Sequence, residues 1–176
     1  VEFFLMDDRW FRAPNEVTDA NKDYWGAKQM TWLLDALSSS KASFKLIVNG
    51  GQVISPAKIL ENMANYEGER NYLLKELKAR NIPGVLFLTG DRHISDLNKL
   101  EREGTYPLYD LTVSPMTAGK SDAFKLDYNE TLVEGTLVAE RNFSKIEVSG
   151  PAKDRVMKIT LLSVKGDVLW TKEIKS

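Results

Sequence analysis

The chain has 176 residues, 43% of them hydrophobic and 28% charged, enough apolar material for one or at most two compact domains. Lys plus Arg (24) nearly cancel Asp plus Glu (25), and the net charge of -1 excludes the basic footprint of a general nucleic-acid binder. No apolar run approaches the roughly 18 to 20 residues of a membrane span. The absence of cysteine removes thiolate nucleophiles, Cys-ligated zinc and disulfides, and any imidazole chemistry must be built around one ring, His93.

Residues 1–6 form a nearly continuous apolar run ending at Asp7-Asp8-Arg9, as a buried central strand of an α/β sheet would. Residues 27–37 place Met30, Leu33, Leu34 and Leu37 on one helical stripe. Residues 44–48 read as a second strand running into Asn49-Gly50-Gly51-Gln52. A second amphipathic helix over residues 69–80 carries Leu73, Leu74 and Leu77 and stops at Asn81-Ile82-Pro83-Gly84. The third strand, residues 85–89, is apolar and empties into Gly90-Asp91-Arg92-His93; a fourth is expected at residues 108–113. From about residue 118 the texture becomes polar loop, then alternation with period two through Ile146, Val148, Met157, Ile159 and Leu161, with Lys165-Gly166-Asp167 as a hairpin turn. The expected division is a layered α/β unit over residues 1–120 and an antiparallel β tail over residues 121–176 packing on it.

Three expected strands thus deliver Asp7-Asp8-Arg9, Asn49-Gly50-Gly51-Gln52 and Gly90-Asp91-Arg92-His93 to one sheet edge, where open α/β sheets place their sites. Carboxylate, amide, imidazole and guanidinium groups in one crevice suit a hard or borderline metal and an anionic ligand. Each also has an ordinary reading. Asp7 and Asp8 after a strand are common turn formers, Asn49-Gly50-Gly51-Gln52 is a permissive loop, and the residues alone leave Gly90-Asp91-Arg92-His93 divided between a site and a turn. Trp10, Trp25, Trp32 and Trp170 read as packing residues, with Trp10 and Phe11 also placed to wall a pocket beside Arg9.

In order and spacing, Phe-Phe-Leu-Met-Asp-Asp-Arg-Trp-Phe-Arg (3–12), Gly26-x-x-Gln29-x-x-Trp32-Leu33, Asn-Gly-Gly-Gln-Val (49–53), Gly-Val-Leu-Phe-Leu-Thr-Gly-Asp-Arg-His (84–93), Leu-Thr-Val-Ser-Pro-Met-Thr (111–117) and Arg141-Asn142-Phe143 closely resemble the carboxyl-terminal half of alkaline phosphatase D-like (PhoD-like) metallophosphatases. The resemblance implies an α/β fold, the C-terminal half of a layered αββα sandwich of the calcineurin-like metallophosphoesterase superfamily. It also implies hydrolysis of phosphate mono- or diesters by a metal-activated water. Carried over, Asp91 is a metal ligand, His93 a second ligand or a donor to the phosphate or leaving oxygen, and Arg9 a catalytic phosphate contact. Asp8, Arg92 and Asn142 are second-sphere or phosphate-facing. The implied cofactor is a metal cluster, iron with calcium, other divalent ions occurring among relatives. The family's earlier metal motifs are not in this sequence, so the chain is expected to be an inactive fragment whose partner is the N-terminal half of the same protein, prone to self-association through a severed sheet. Family resemblance also implies an exported parent. The competing readings are a non-catalytic α/β scaffold that keeps the fold only, and a glycoside hydrolase using Asp8 and Asp91.

Overall fold

A computed structural model describes residues 1–122 and 128–176. A five-stranded sheet, order β1-β2-β3-β5-β4, contains β1 (Glu2–Leu5), β2 (Lys45–Val48), β3 (Val85–Thr89), β4 (Asp96–Leu100) and β5 (Leu108–Thr112). Strands β1, β2, β3 and β5 are parallel neighbours, whereas β4 runs antiparallel to β5. Two helices, α1 (Gly26–Ser39) and α2 (Glu67–Ala79), supply the crossovers, and a separate antiparallel sheet is formed by β6 (Asn142–Ser149), β7 (Val156–Ser163) and β8 (Val168–Lys175). Among the described residues no helix is long and apolar enough to cross a membrane.

Alternation along the strands assigns one side chain to each face. Phe4, Ile47, Val85, Phe87 and Leu108 pack toward the helices, meeting Met30, Leu33, Leu34 and Leu37 of α1 and Leu73 and Leu77 of α2. Leu46, Leu86, Leu97 and Leu111 face the other way and share a core with Met157, Ile159, Leu161, Trp170 and Ile174 of the second sheet. The β tail therefore buries its apolar face directly on the large sheet. Of the segment 121–176, residues 123–127 lie outside the described residues.

The first strand departs from expectation. It is the edge of the sheet, and only Phe4 is buried, while Val1, Phe3 and Leu5 are exposed. The reason is geometric: the helices cover one face of β1, but the core shared with the second sheet does not extend to it. Strand β4 has no counterpart among the expected strands, because Asp96 and Asn98 are the buried polar residues of its alternation and only Leu97 joins the apolar core between the sheets.

Two glycines explain how the elements close up. Gly84 has φ +70°, and a Cβ there would lie 2.0 Å from the Ser43 carbonyl oxygen, so the turn from α2 into β3 passes too close to the start of β2 for any side chain. Helix α1 has no capping side chain of its own. Instead the Glu69 carboxylate accepts the backbone N–H groups of Tyr24 (3.1 Å), Trp25 (2.8 Å) and Gly26 (2.8 Å), fixing α1 to α2 through its unpaired N-terminal donors.

Candidate functional site

The parallel strands carry Asp7-Asp8-Arg9, Asn49-Gly50-Gly51 and Gly90-Asp91 to a common edge, stitched by backbone hydrogen bonds from Met6 to Val48, Asn49 to Leu88 and Gly90 to Gly50. There a cavity of about 230 Å³ is lined by Asp8, Arg9, Arg12, Gly50, Gly51, Glu61 and Asp91. At roughly 30 Å³ per water, this accommodates a tetrahedral oxyanion with a few waters.

The adjacent carboxylates have separate jobs. Asp7 is the turn former: its Oδ1 accepts the backbone N–H groups of Arg9 (3.0 Å) and Trp10 (2.8 Å). Asp8 is held toward the cavity, its Oδ2 accepting the Tyr24 hydroxyl (3.1 Å) and the Gly51 N–H (3.0 Å). Burial and the Asp8 charge push the Tyr24 phenol far up, so Tyr24 remains a proton donor to that carboxylate. Gly50 permits this approach, since a Cβ at that position would fall 2.6 Å from Asp8 Oδ2. Trp25 and Asn49 support the arrangement from below, Trp25 Nε1 donating to Asn49 Oδ1 (2.9 Å) and Asn49 Nδ2 to Tyr24 (3.0 Å). Trp10 and Phe11 are exposed and are not part of this cavity's lining.

Gly90-Asp91-Arg92-His93 is both a turn and part of the site. The Arg92 N–H donates to the Gly90 carbonyl (2.8 Å), closing a three-residue turn with Asp91 at φ 62°, and His93 follows at φ 56°. Two neighbouring left-handed non-glycine residues constitute real backbone strain. The turn leaves Asp91 exposed. His93 is anchored by its N–H on Ser114 Oγ (3.0 Å), and its Nδ1 lies 2.5 Å from the Gly119 carbonyl oxygen. A carbonyl only accepts, so Nδ1 carries the proton and Nε2 is the ring's remaining nitrogen for a ligand.

Two of the side chains expected to be second-sphere or phosphate-facing, Arg92 and Asn142, are not at the surface of this cavity. Arg92 is buried, its charge close enough to Asp96 to favour that carboxylate's ionised form. Asn142 is fully buried at the start of β6, with Oδ1 accepting from Ser95 Oγ (2.7 Å) and Nδ2 donating to the carbonyls of Ser114 and Glu140. Its amide is consumed in bracing Ser95 and Ser114, and Ser114 in turn holds His93. Conversely, Arg12, Glu61 and Tyr24 line or support the cavity although no motif marks them as site residues. Arg12 stands three residues beyond Arg9, which was a usable signal; Glu61 lies in a long connection with no pattern to mark it.

Beneath the cavity lies a buried polar layer. Asp110 Oδ2 accepts the N–H groups of Val53 (2.7 Å) and Ile54 (3.0 Å), and its Oδ1 accepts Thr89 Oγ1 (2.7 Å). Asp96 accepts from Gln52 Nε2 (3.1 Å) and Asn98 Nδ2 (2.9 Å). Burial first, then the neighbouring Asp110 charge, pushes the Asp96 carboxyl up to about 7.

Carboxylate oxygen and imidazole nitrogen are donors suited to a hard or borderline cation. Among the described residues, however, no three His, Asp or Glu side chains come together as a metal shell. The donor types fit a metal centre, but their number among the described residues does not complete one.

The PhoD-like phosphatase family model matches residues 1–151. The chain belongs to the PhoD-like phosphatase family. Alkaline phosphatase D from Bacillus subtilis (strain 168) is 28% identical over 114 residues, covering 54% of this chain and 20% of that protein. The solved structure of PhoD superposes with a TM-score of 0.70 at 15% identity, covering 99% of this chain and 42% of that one. This PhoD-like chain thus shares the fold of a part of PhoD over 99% of its length, while spanning less than half of either of these two proteins.

Proposed function

We propose that this PhoD-like chain contributes one wall of a metal-dependent phosphoesterase site that hydrolyses phosphate mono- or diesters. The observation that carries the reading is the cavity in which Asp8, Arg9 and Asp91 converge at the carboxyl ends of parallel strands. Arg9, exposed and paired with Glu61 at a loose 3.6 Å, can fork onto non-bridging phosphate oxygens. Asp91 and His93 would hold part of a metal centre, iron with calcium, whose other ligands come from outside residues 1–176. Asp8 keeps its orientation through Tyr24 and Gly51 and sets the charge facing the substrate.

The chain is proposed to be inactive alone. Its natural partner is then the remainder of the same protein, seated against exposed Val1, Phe3 and Leu5 of edge strand β1 and the neighbouring groove of about 620 Å³ lined by Val48, Leu88, Val113, Met116, Phe143 and Ile146. Left uncovered, this face would drive self-association. Export of the whole protein is part of the same proposal, by likeness to its family.

The test is Asp91→Ala in the full-length protein, with elemental analysis and turnover of p-nitrophenyl phosphate and its bis-ester. Loss of bound metal and of turnover is expected. Stoichiometric metal and a near-normal rate in the variant would remove Asp91 from the site, and a wild-type protein with neither metal nor turnover would make the chain a non-catalytic scaffold. Turnover by residues 1–176 alone comparable to that of the full-length protein would overturn the proposed inactivity.

A further inference from the structure

The cavity contains a second guanidinium that the family likeness does not assign. Arg12 is buried to 12% side-chain exposure, against 72% for Arg9, and both reach the same Glu61 Oε1, at 3.4 and 3.6 Å. Those separations are well beyond the roughly 2.7–2.9 Å of a tight charge-assisted pair. One carboxylate oxygen shared at such distances leaves most of the ten N–H donors of two guanidinium groups unengaged by it, at five per group. Arg12 does not have Arg9's freedom to swing away: its guanidinium lies against the buried Tyr66 phenol, whose hydroxyl is fixed on the Ala13 carbonyl (2.8 Å) and Asn15 Oδ1 (2.9 Å). Asp8, Asp91 and Glu61 supply the negative charges lining the cavity, and Arg9 and Arg12 are its positive ones.

Building on the phosphoesterase reading, we propose that Arg12 is the fixed anchor for the non-bridging oxygens of the substrate phosphate, and that Glu61 is its internal stand-in, occupying the two guanidinium groups until a phosphate displaces it. Arg9 then closes over the anion as the mobile partner. The ligand chemistry is a tetrahedral phosphate with at least two free oxygens, as a monoester, a diester or the inorganic phosphate product provides. Glu61 sets the affinity: a weakly engaged carboxylate keeps Arg12 oriented while costing the incoming phosphate little to replace.

A brace and a competitor predict opposite signs for the two partners, which makes the idea testable. In the full-length protein, inorganic phosphate is titrated calorimetrically into wild type, Arg12→Ala, Arg12→Lys and Glu61→Gln, with metal content and thermal midpoint measured on each. Arg12→Ala should raise the phosphate Kd at least tenfold with metal content unchanged, Arg12→Lys should recover part of that loss because a point charge replaces a fork, and Glu61→Gln should lower the Kd severalfold. In turnover the same changes should appear in KM. Phosphate binding unaffected by Arg12→Ala, or weakened by Glu61→Gln as much as by Arg12→Ala, would overturn the proposal and make the pair a structural brace. Because Arg12→Lys and Glu61→Gln are conservative, they decide the question even where Arg12→Ala fails to fold. A wild type that neither binds phosphate nor turns over an ester defeats the phosphoesterase reading itself, a different result from a wild type that does both while its variants behave alike.

Discussion

Replacing Gly50 by alanine separates the contribution of Asp8 to the site from its contribution to the fold. The added Cβ would lie 2.6 Å from Asp8 Oδ2 and 2.9 Å from Oδ1. Reaching an ordinary carbon–oxygen separation of about 3.3 Å requires the carboxylate to retreat by roughly 0.7 Å. That breaks its 3.0 Å bond from the Gly51 N–H and its 3.1 Å bond from Tyr24. Hydrogen bonds to a charged acceptor contribute about 1.5–3 kcal/mol each, but Asp8 is half-buried and can exchange them for water, while Gly→Ala returns about 0.4–1 kcal/mol through the unfolded state. The net loss should be about 1–2 kcal/mol, a drop of a few degrees in Tm at this chain size. Activity should fall far more, on the order of 100-fold, as expected when a site group is misplaced by close to an ångström. Gly51→Ala is the control: its Cβ meets the Glu61 carbonyl oxygen at 2.8 Å and the Tyr24 hydroxyl at 2.9 Å, so the backbone must move and stability should fall further. The assay is p-nitrophenyl ester turnover with thermal melts on both full-length variants. Near-normal kcat/KM in Gly50→Ala would refute the role given to Asp8 orientation; a melt as depressed as that of Gly51→Ala would refute the view that Asp8 can yield cheaply.

Glu69→Gln removes the charge that accepts three N–H groups at the start of α1 and should cost about 1–3 kcal/mol in urea unfolding, whereas an unchanged midpoint would mean water caps that helix equally well. Gly84→Ala places a Cβ 2.0 Å from Ser43 O at a φ of +70° and should cost more than about 3 kcal/mol, read as loss of the native circular dichroism or of soluble protein. Asp96, raised from 3.8 to about 7 by burial and by Asp110 and opposed by Arg92, binds more protons folded than unfolded between those values, so its contribution to stability is present at low pH and declines as pH rises from about 4 to about 7. Asp96→Asn should remove that decline, at most about 1.4 kcal/mol per pH unit, and a wild-type-minus-variant difference that is flat across this window would show Asp96 to be ionised in the native state throughout.

What could be read in advance follows from which physical signal each element emits. Helix α1 was legible because Met30, Leu33, Leu34 and Leu37 carry its burial at helical spacing, and β3 because every residue from Val85 to Leu88 is apolar. The edge position of β1 was not, since an apolar run says that a strand wants covering on both faces, not which neighbours within the chain provide it. Strand β4 stayed hidden because Asp96 and Asn98 are buried by hydrogen bonding, a state that looks like surface in a hydropathy pattern. Convergence of Asp8, Arg9 and Asp91 came from strand ends alone. The burial of Arg92 and Asn142 was beyond reach, because it depends on whether a side chain turns into or out of the loop, which sequence adjacency leaves open.

The buried carboxylates bear directly on how the cavity keeps its shape. Its walls belong to three separate connections, after β1, β2 and β3. Asp110 holds Val53 and Ile54 of the second connection and Thr89, the last residue before Gly90 in the third. From the opposite side, Arg70 donates to the Val53 carbonyl (2.8 Å) and the Ile54 carbonyl (2.5 Å), so this short segment is clamped between a strand and a helix. Asp96 grips Gln52 two residues beyond Gly50, and it lies three residues past His93 on the chain that leaves the strained turn. An apolar layer of the same volume would often be at least as stable as such a charged one. It would not fix the register of Gly50 against Asp91, because hydrophobic contact is indifferent to slips that a hydrogen bond to one particular N–H forbids. The cost of burying Asp96 and Asp110 is therefore intelligible as the cost of holding two loops at a set separation across the cavity they line.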